Sequence, residues 1–128
     1  AEDSGVGDDI IFEGRVPNHE LPRILNDFDV FVALSRSESY GVAIVEAMAC
    51  QCPVIVSDAP GFVEIVEDVI NGLIVPRENV AAAAEAMERL LLDDRLRLAL
   101  GTSGRERVEK MYDWQKNVDT MIALYQQV

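Results

Sequence analysis

Apolar residues in this chain alternate between short unbroken runs and longer stretches with helical spacing. Ile10-Ile11-Phe12 is a short run closed by Gly14 and by Pro17-Asn18, and it predicts a strand. Asn18 then reads as a helix cap, followed by Leu21, Ile24, Leu25 and Phe28 at helical spacing. Val30 to Leu34 is apolar and β-branched, as in a strand buried on both faces. Ser35 to Tyr40 is polar, and Gly41 opens a helix through about Cys52. Pro53 introduces the buried strand Val54-Ile55-Val56, ended by Ser57-Asp58. Pro60-Gly61 turns into a short helix around Phe62 to Glu67, Asn71-Gly72 is a turn, and Leu73-Ile74-Val75 is a last strand stopped by Pro76.

After Pro76 the pattern becomes helical. Val80, Ala84, Met87 and Leu91 make one face; Asp93-Asp94 punctuates; Leu96 to Met111 predicts one or two helices broken near Gly101 to Gly104. Asp113 caps a final helix whose apolar face is Val118, Met121, Ile122 and Tyr125. Strands alternating with helices predict an α/β fold: a parallel sheet of about four strands with helical crossovers and a helical C-terminal tail, residues 1–128 forming a single domain. Such sheets bind ligands beyond the carboxyl ends of their strands. That rule selects the loops Gly14 to Asn18, Ser35 to Gly41 and Ser57 to Phe62.

Charge narrows the function. Asp and Glu number 23 against 11 Lys and Arg, a net charge of -12, which argues against nucleic acid or an anionic membrane as a partner. No apolar run approaches the roughly 20 residues of a membrane span. Cys50 and Cys52 are too close for an unstrained bridge, and with His19 as the single histidine there is no soft-ligand set for a metal. They read as small buried residues in a reducing compartment. The acidic start, Ala1-Glu2-Asp3-Ser4-Gly5, is unlike a secretory signal and carries no initiator Met. Together these predict a cytoplasmic protein, or a fragment of one.

The helix after Gly41 carries the chemistry. Val42, Ile44, Val45 and Met48 form its bulky side, and Glu46 shares the other with Ala43, Ala47 and Cys50. A buried carboxylate costs several kcal/mol unless it is satisfied, and small neighbours leave room for a ligand to do so. The alternative is a glutamate at a solvent edge or tied to a backbone group. Free amides at the helix start, with Gly41 allowing close approach, form an anion site. Glu38 lies just outside that end and Glu46 well inside it. The helix alone separates them by about 7–9 Å. That favours contacts with two parts of one elongated ligand over an acid/base pair of the glycosidase kind.

These residues resemble a known family. Ser35-Arg36-Ser37-Glu38-Ser39-Tyr40-Gly41, then Glu46-Ala47-Met48-Ala49-Cys50 and Pro53-Val54, are similar to the signature of retaining glycosyltransferases of the glycogen-synthase-like, group 1 type. The likeness runs on through Gly61, Glu64-Ile65-Val66, Asn71-Gly72-Leu73, Val75-Pro76, Leu90 to Asp94 and Trp114. It implies the later part of the Rossmann-like C-terminal domain of a two-domain GT-B enzyme that binds a nucleotide-diphosphate sugar between its domains. By position it assigns Glu46 to the ribose hydroxyls and the amides around Ser39, Tyr40, Gly41 and Val42 to the diphosphate. It puts Glu38, as the catalytic carboxylate, near the reacting carbon of the sugar, and the Gly14-Arg15-Val16 loop against the base. It also implies transfer with retention of configuration and no metal or other cofactor.

Departures from that pattern are Ser39 and Gln51, where the family usually has Gly, and Pro60, where it has the first of a Gly-Gly pair. The resemblance further implies that the basic pair for the diphosphate, two strands of this domain and the acceptor-binding domain precede the first residue. The chain alone is then expected to be inactive. The strand at Ile10 to Phe12 would be displaced, exposed as an edge or paired with another chain, and the last helix would be free for a missing domain or a homo-oligomer. Three alternatives stand beside this one. A nucleotide-sugar epimerase of similar architecture is one, and a nucleotide-binding or assembly module without catalysis is another. The third, a phospho-accepting receiver domain using Asp58 with Asp8-Asp9, suffers because those acids precede their strand instead of following it.

Overall fold

The computed structural model describes residues 5–126, so the acidic start at Ala1 to Ser4 lies outside them. Helix α1 (Leu21–Asn26) precedes β1 (Phe31–Ala33); α2 (Val42–Ala49) crosses over to β2 (Val54–Ser57); α3 (Pro60–Val63) precedes β3 (Leu73–Val75). Then come α4 (Val80–Leu92), α5 (Asp94–Met111) and α6 (Trp114–Tyr125). The sheet is parallel, in the order β1-β2-β3, with Ala33 beside Val56 and Val56 beside Ile74. The alternation read from the sequence therefore produces an α/β layer.

Side chains of β2 divide between two cores, as strand geometry requires. Val54 and Val56 join Leu25, Ile44, Ala47, Met48 and Phe62 beneath α1, α2 and α3. Ile55 joins Leu73, Val75, Ala83, Ala86, Leu90 and Leu100 beneath α4 and α5. Every residue of β2 is buried, consistent with an unbroken apolar run between two helical layers.

Three of the expectations are corrected. The sheet has three strands instead of about four, because Ile10, Ile11 and Phe12 pair with nothing among the described residues. Ile11 is 80% and Phe12 88% exposed. Backbone in that segment has no neighbouring ladder to join, and an apolar run without a partner strand is not a strand. Second, α5 is continuous through Gly101 and Gly104. Those glycines let two helices approach: a Cβ at Gly101 would collide with the Gln51 carbonyl, and one at Gly104 would lie 3.4 Å from Met48 and from the Asn71 carbonyl. Third, the buried face of α4 is Ala83, Ala86 and Leu90, and Val80 is 82% exposed. In an alanine-rich helix ending in three leucines the pattern leaves the face open, and small residues let the helix sit close on the sheet.

Smaller differences concern helix ends. Asn18 accepts the Leu21 amide through its backbone carbonyl in a turn, so α1 starts two residues later than the cap predicts. By contrast Asn79, Asp93 and Asp113 each accept a first-turn amide through their side chains, at 2.9–3.1 Å. Helix α6 has no buried residue among those described, and Met121, Ile122 and Tyr125 stay in solvent. Cys52 is buried, and that burial pushes its thiol up to about 11, as expected of a small core residue.

Candidate functional site

The loop from Ser35 to Gly41 leaves the carboxyl end of β1 and turns into α2. Gly41 makes that turn in the left-handed region (φ 77°, ψ 43°), where a Cβ would also press to 3.1 Å on Ile65 and 3.2 Å on Phe62. A residue without a side chain is what this corner needs. Gly41's carbonyl accepts the amides of Ile44 and Val45. No side chain caps the helix start, so the amides of Val42 and Ala43 lack intrahelical acceptors. Val42 and Tyr40 are each 57% exposed. The ring of Tyr40 meets Tyr112 edge to face at 6.4 Å, which brings the end of α5 to the loop.

Glu38 folds back onto its own loop. Its Oε1 accepts the Ser39 amide at 2.8 Å and the Tyr40 amide at 3.2 Å. The Tyr40 and Ser39 amides hold its carboxyl below the ordinary glutamate value, against a small opposing effect of burial. An anion thus already sits on the loop amides just ahead of this helix, and it belongs to the chain itself.

Glu46 departs from the buried reading. It is exposed on α2, with no ion pair or side-chain hydrogen bond among the described residues, because the helix buries Ile44, Ala47 and Met48 instead. Ala47, expected beside Glu46, lies in the core. Glu46 borders a small cleft between α1 and α2 with Asn18, Leu21 and Pro22. The segment carrying Arg15 and Val16 leads directly into Asn18, but neither residue lines the cleft; Arg15 is exposed and Val16 half-buried. The structure therefore gathers Glu38, Ser39, Tyr40, Gly41 and Val42 at one corner, with Glu46 one turn along the helix.

Residues from the ends of β2 and β3 and from α3 hold this corner from behind, among them Ser57 and Arg77, to which the sequence assigns no role of their own. The buried Ser57 hydroxyl donates to the Ser35 carbonyl at 2.6 Å and accepts the Ser35 amide at 3.0 Å. Arg77 donates to the Arg36 carbonyl at 3.2 Å and pairs with Asp58 at 3.0 Å. Gly61's amide donates to the Glu38 carbonyl at 3.0 Å. Asp58 is thereby engaged as a structural acceptor, while Asp8 and Asp9 lie in a short 3-10 turn before residue 10. The one sequence signal for Ser57 was a polar residue ending a wholly apolar run; Arg77 gave none. Among the described residues no cluster of three or more His, Cys, Asp or Glu is placed to hold a metal ion. Among the same residues no helix is long and apolar enough to cross a membrane.

The chain is 35% identical, over 96% of its length, to a GDP-mannose-dependent alpha-(1-6)-phosphatidylinositol monomannoside mannosyltransferase of Mycobacterium tuberculosis. Its fold superposes on a sucrose-phosphate synthase from Thermosynechococcus elongatus with a TM-score of 0.93 over 98% of the chain, at 34% identity. It also superposes on the C-terminal domain of a glycosyl transferase group 1 family protein (LpcC) from Francisella tularensis, with a TM-score of 0.80 over 88% of the chain, at 30% identity. It spans 33% of the mannosyltransferase, 32% of the synthase and 58% of the LpcC domain. Residues 1–107 match the family model for glycosyl transferases, group 1, and the chain belongs to that family.

Proposed function

We propose that this chain is the donor-binding part of a retaining glycosyltransferase that moves a hexosyl group from a nucleotide-diphosphate sugar to an acceptor held elsewhere in the protein. The observation that carries this reading is the uncapped start of α2 at the carboxyl end of a parallel sheet. There Gly41's left-handed turn leaves first-turn amides open between two carboxylates. Diphosphate oxygens suit those amides and the positive end of the helix dipole. Glu46, unpaired and one turn along α2, suits two ribose hydroxyls, and the segment of Arg15 and Val16 suits the base. The GDP-mannose dependence in the mycobacterial relative's name favours a donor of this class.

Glu38 has two positions in this account. Without donor it occupies the amides of Ser39 and Tyr40. A diphosphate reaching the same amides displaces it by charge repulsion, and the freed carboxylate turns to the sugar. There it orients hydroxyls and stabilises positive charge developing at the reacting carbon as the bond to the diphosphate breaks. Neither metal nor other cofactor is part of the scheme. We place the protein in the cytoplasm, as one domain beside an acceptor-binding domain or second copy that meets the open β1 edge or the exposed face of α6.

Titration of the 128-residue chain with uridine and guanosine diphosphate tests the site. Saturable binding that weakens about tenfold in Glu46→Ala is the expected outcome, and no binding at millimolar nucleotide contradicts the reading. The chain alone is expected to transfer no sugar. Turnover by these residues without a partner would overturn that part of the proposal.

A further inference from the structure

Four successive carbonyls of the loop, Ser35 to Glu38, are all hydrogen-bonded. The Ser57 hydroxyl serves Ser35, Arg77 serves Arg36, the Ser35 hydroxyl serves Ser37 at 2.7 Å, and the Gly61 amide serves Glu38. Three of the four donors lie beyond β1 in the chain: Ser57 at the end of β2, Gly61 in α3 and Arg77 just after β3. Ser57 is 1% exposed, and it alone satisfies both backbone groups of Ser35. The last β1–β2 backbone pair is Ala33 with Val56, and the backbone of Ser57 is turned to Val75 on its other side. The Ser57 side chain thus does for Ser35 what a further rung of the ladder would have done.

We propose that Ser57 is a positioning residue for the donor site. By holding both the amide and the carbonyl of Ser35, its hydroxyl fixes the direction in which the loop leaves β1. With Arg77 and Gly61 it turns the loop carbonyls back toward the sheet, and so presents the following amides to Glu38 or to a diphosphate. Gly61 belongs to the same backing: a Cβ there would lie 2.6 Å from the Glu38 carbonyl oxygen, so that loop has no slack on this side. The proposal rests on the donor-site reading above and adds a residue that touches neither nucleotide nor sugar.

The test compares Ser57→Ala and Ser57→Thr with Leu90→Ala, a deletion in the core on the other face of the sheet. Amide hydrogen exchange is read at Ser35, Ser39 and Tyr40, and nucleoside-diphosphate affinity by calorimetry. In Ser57→Ala the Ser35 amide should exchange at least about tenfold faster and the nucleotide affinity fall about tenfold, from loss of one buried pair of hydrogen bonds. Ser57→Thr, which keeps the hydroxyl, should restore both. Leu90→Ala should lower the melting temperature and leave both unchanged. The proposal is overturned if Ser57→Ala loosens the loop no more than Leu90→Ala does, or if the loop loosens while affinity holds. Wild-type protein that binds neither diphosphate ends the donor-site reading, and the exchange comparison still decides whether Ser57 holds the loop.

Discussion

At its carboxyl end α2 is gripped by α5: Arg105 donates to the Ala49 carbonyl at 2.8 Å, Gln51 to the Thr102 hydroxyl at 2.9 Å, and Gly101 leaves no room beside the Gln51 carbonyl. At its amino end the same helix has no side-chain cap, two free amides and exposed neighbours. One end is finished and the other is left open. An open helix start is stable only if something else holds the chain that enters it, and here that is the backing from β2 and β3. The helix therefore divides its work by position: residues at its far end should set stability, and residues at its near end should set ligand affinity.

The sharpest way to break this division is Gly101→Ala. The added methyl forces α5 away from Gln51, and overpacking of that kind costs about 1–3 kcal/mol. Urea unfolding should show it, while nucleotide affinity of the folded variant should change less than about twofold. A loss below about 0.5 kcal/mol would mean that the helices can part freely. Glu46→Ala is the reciprocal case. Nucleotide affinity should fall about tenfold, equivalent to ~1.4 kcal/mol, with the unfolding midpoint unmoved, since Glu46 has no partner to lose. A midpoint that drops with affinity would erase the distinction between the two ends.

Gln51 sharpens the far end. It sits at φ 62°, a left-handed conformation that strains any residue with a Cβ. Gln51→Gly should raise stability by about 0.5–1 kcal/mol despite the lost exposed bond to Thr102, as measured by urea unfolding. Destabilisation would show that this bond outweighs the backbone strain.

The smallest effect belongs to Glu38. Its depressed pKa means that the self-contact is present above the ordinary glutamate value of 4.5 and is lost as pH falls through the lower folded-state value. An NMR titration should find Glu38 protonating below 4.5, the Ser39 and Tyr40 amide signals moving with it, and the midpoint rising when nucleoside diphosphate is added. Removing the competing carboxylate in Glu38→Ala should tighten diphosphate binding about threefold, ~0.6 kcal/mol. Weakening would mean that the carboxylate and the diphosphate do not share amides.

Much of this was legible before the structure. Val54 to Val56 and Leu73 to Val75 announced themselves because a strand covered on both faces needs an unbroken apolar run, and both formed. The segment Ile10 to Phe12 has a similar composition and forms none, because a strand depends on a partner that composition does not describe. Gly101 and Gly104 read as breakers for the same reason: their value lies in what packs against them. Glu38, Gly41 and Glu46 stand out by type and spacing, whereas the burial of Glu46 stays open between a ligand-facing and a solvent-edge position, because α2 is apolar on almost every side and only its neighbours select the face; the structure takes the solvent edge. The backing by Ser57, Arg77 and Gly61 joins residues about 20 to 40 positions apart, beyond the reach of local pattern.

The central claim, that a nucleotide diphosphate sits on the open end of α2, is tested most directly by backbone amide chemical shifts recorded as uridine or guanosine diphosphate is added. The account predicts the largest changes at Ser39, Tyr40, Gly41 and Val42, smaller ones at Glu46, and none at Cys52, Gly101 or Gly104. Saturable shifts centred instead on the apolar hollow of Phe28, Val32, Met87 and Leu91 at the other side of the sheet would contradict it.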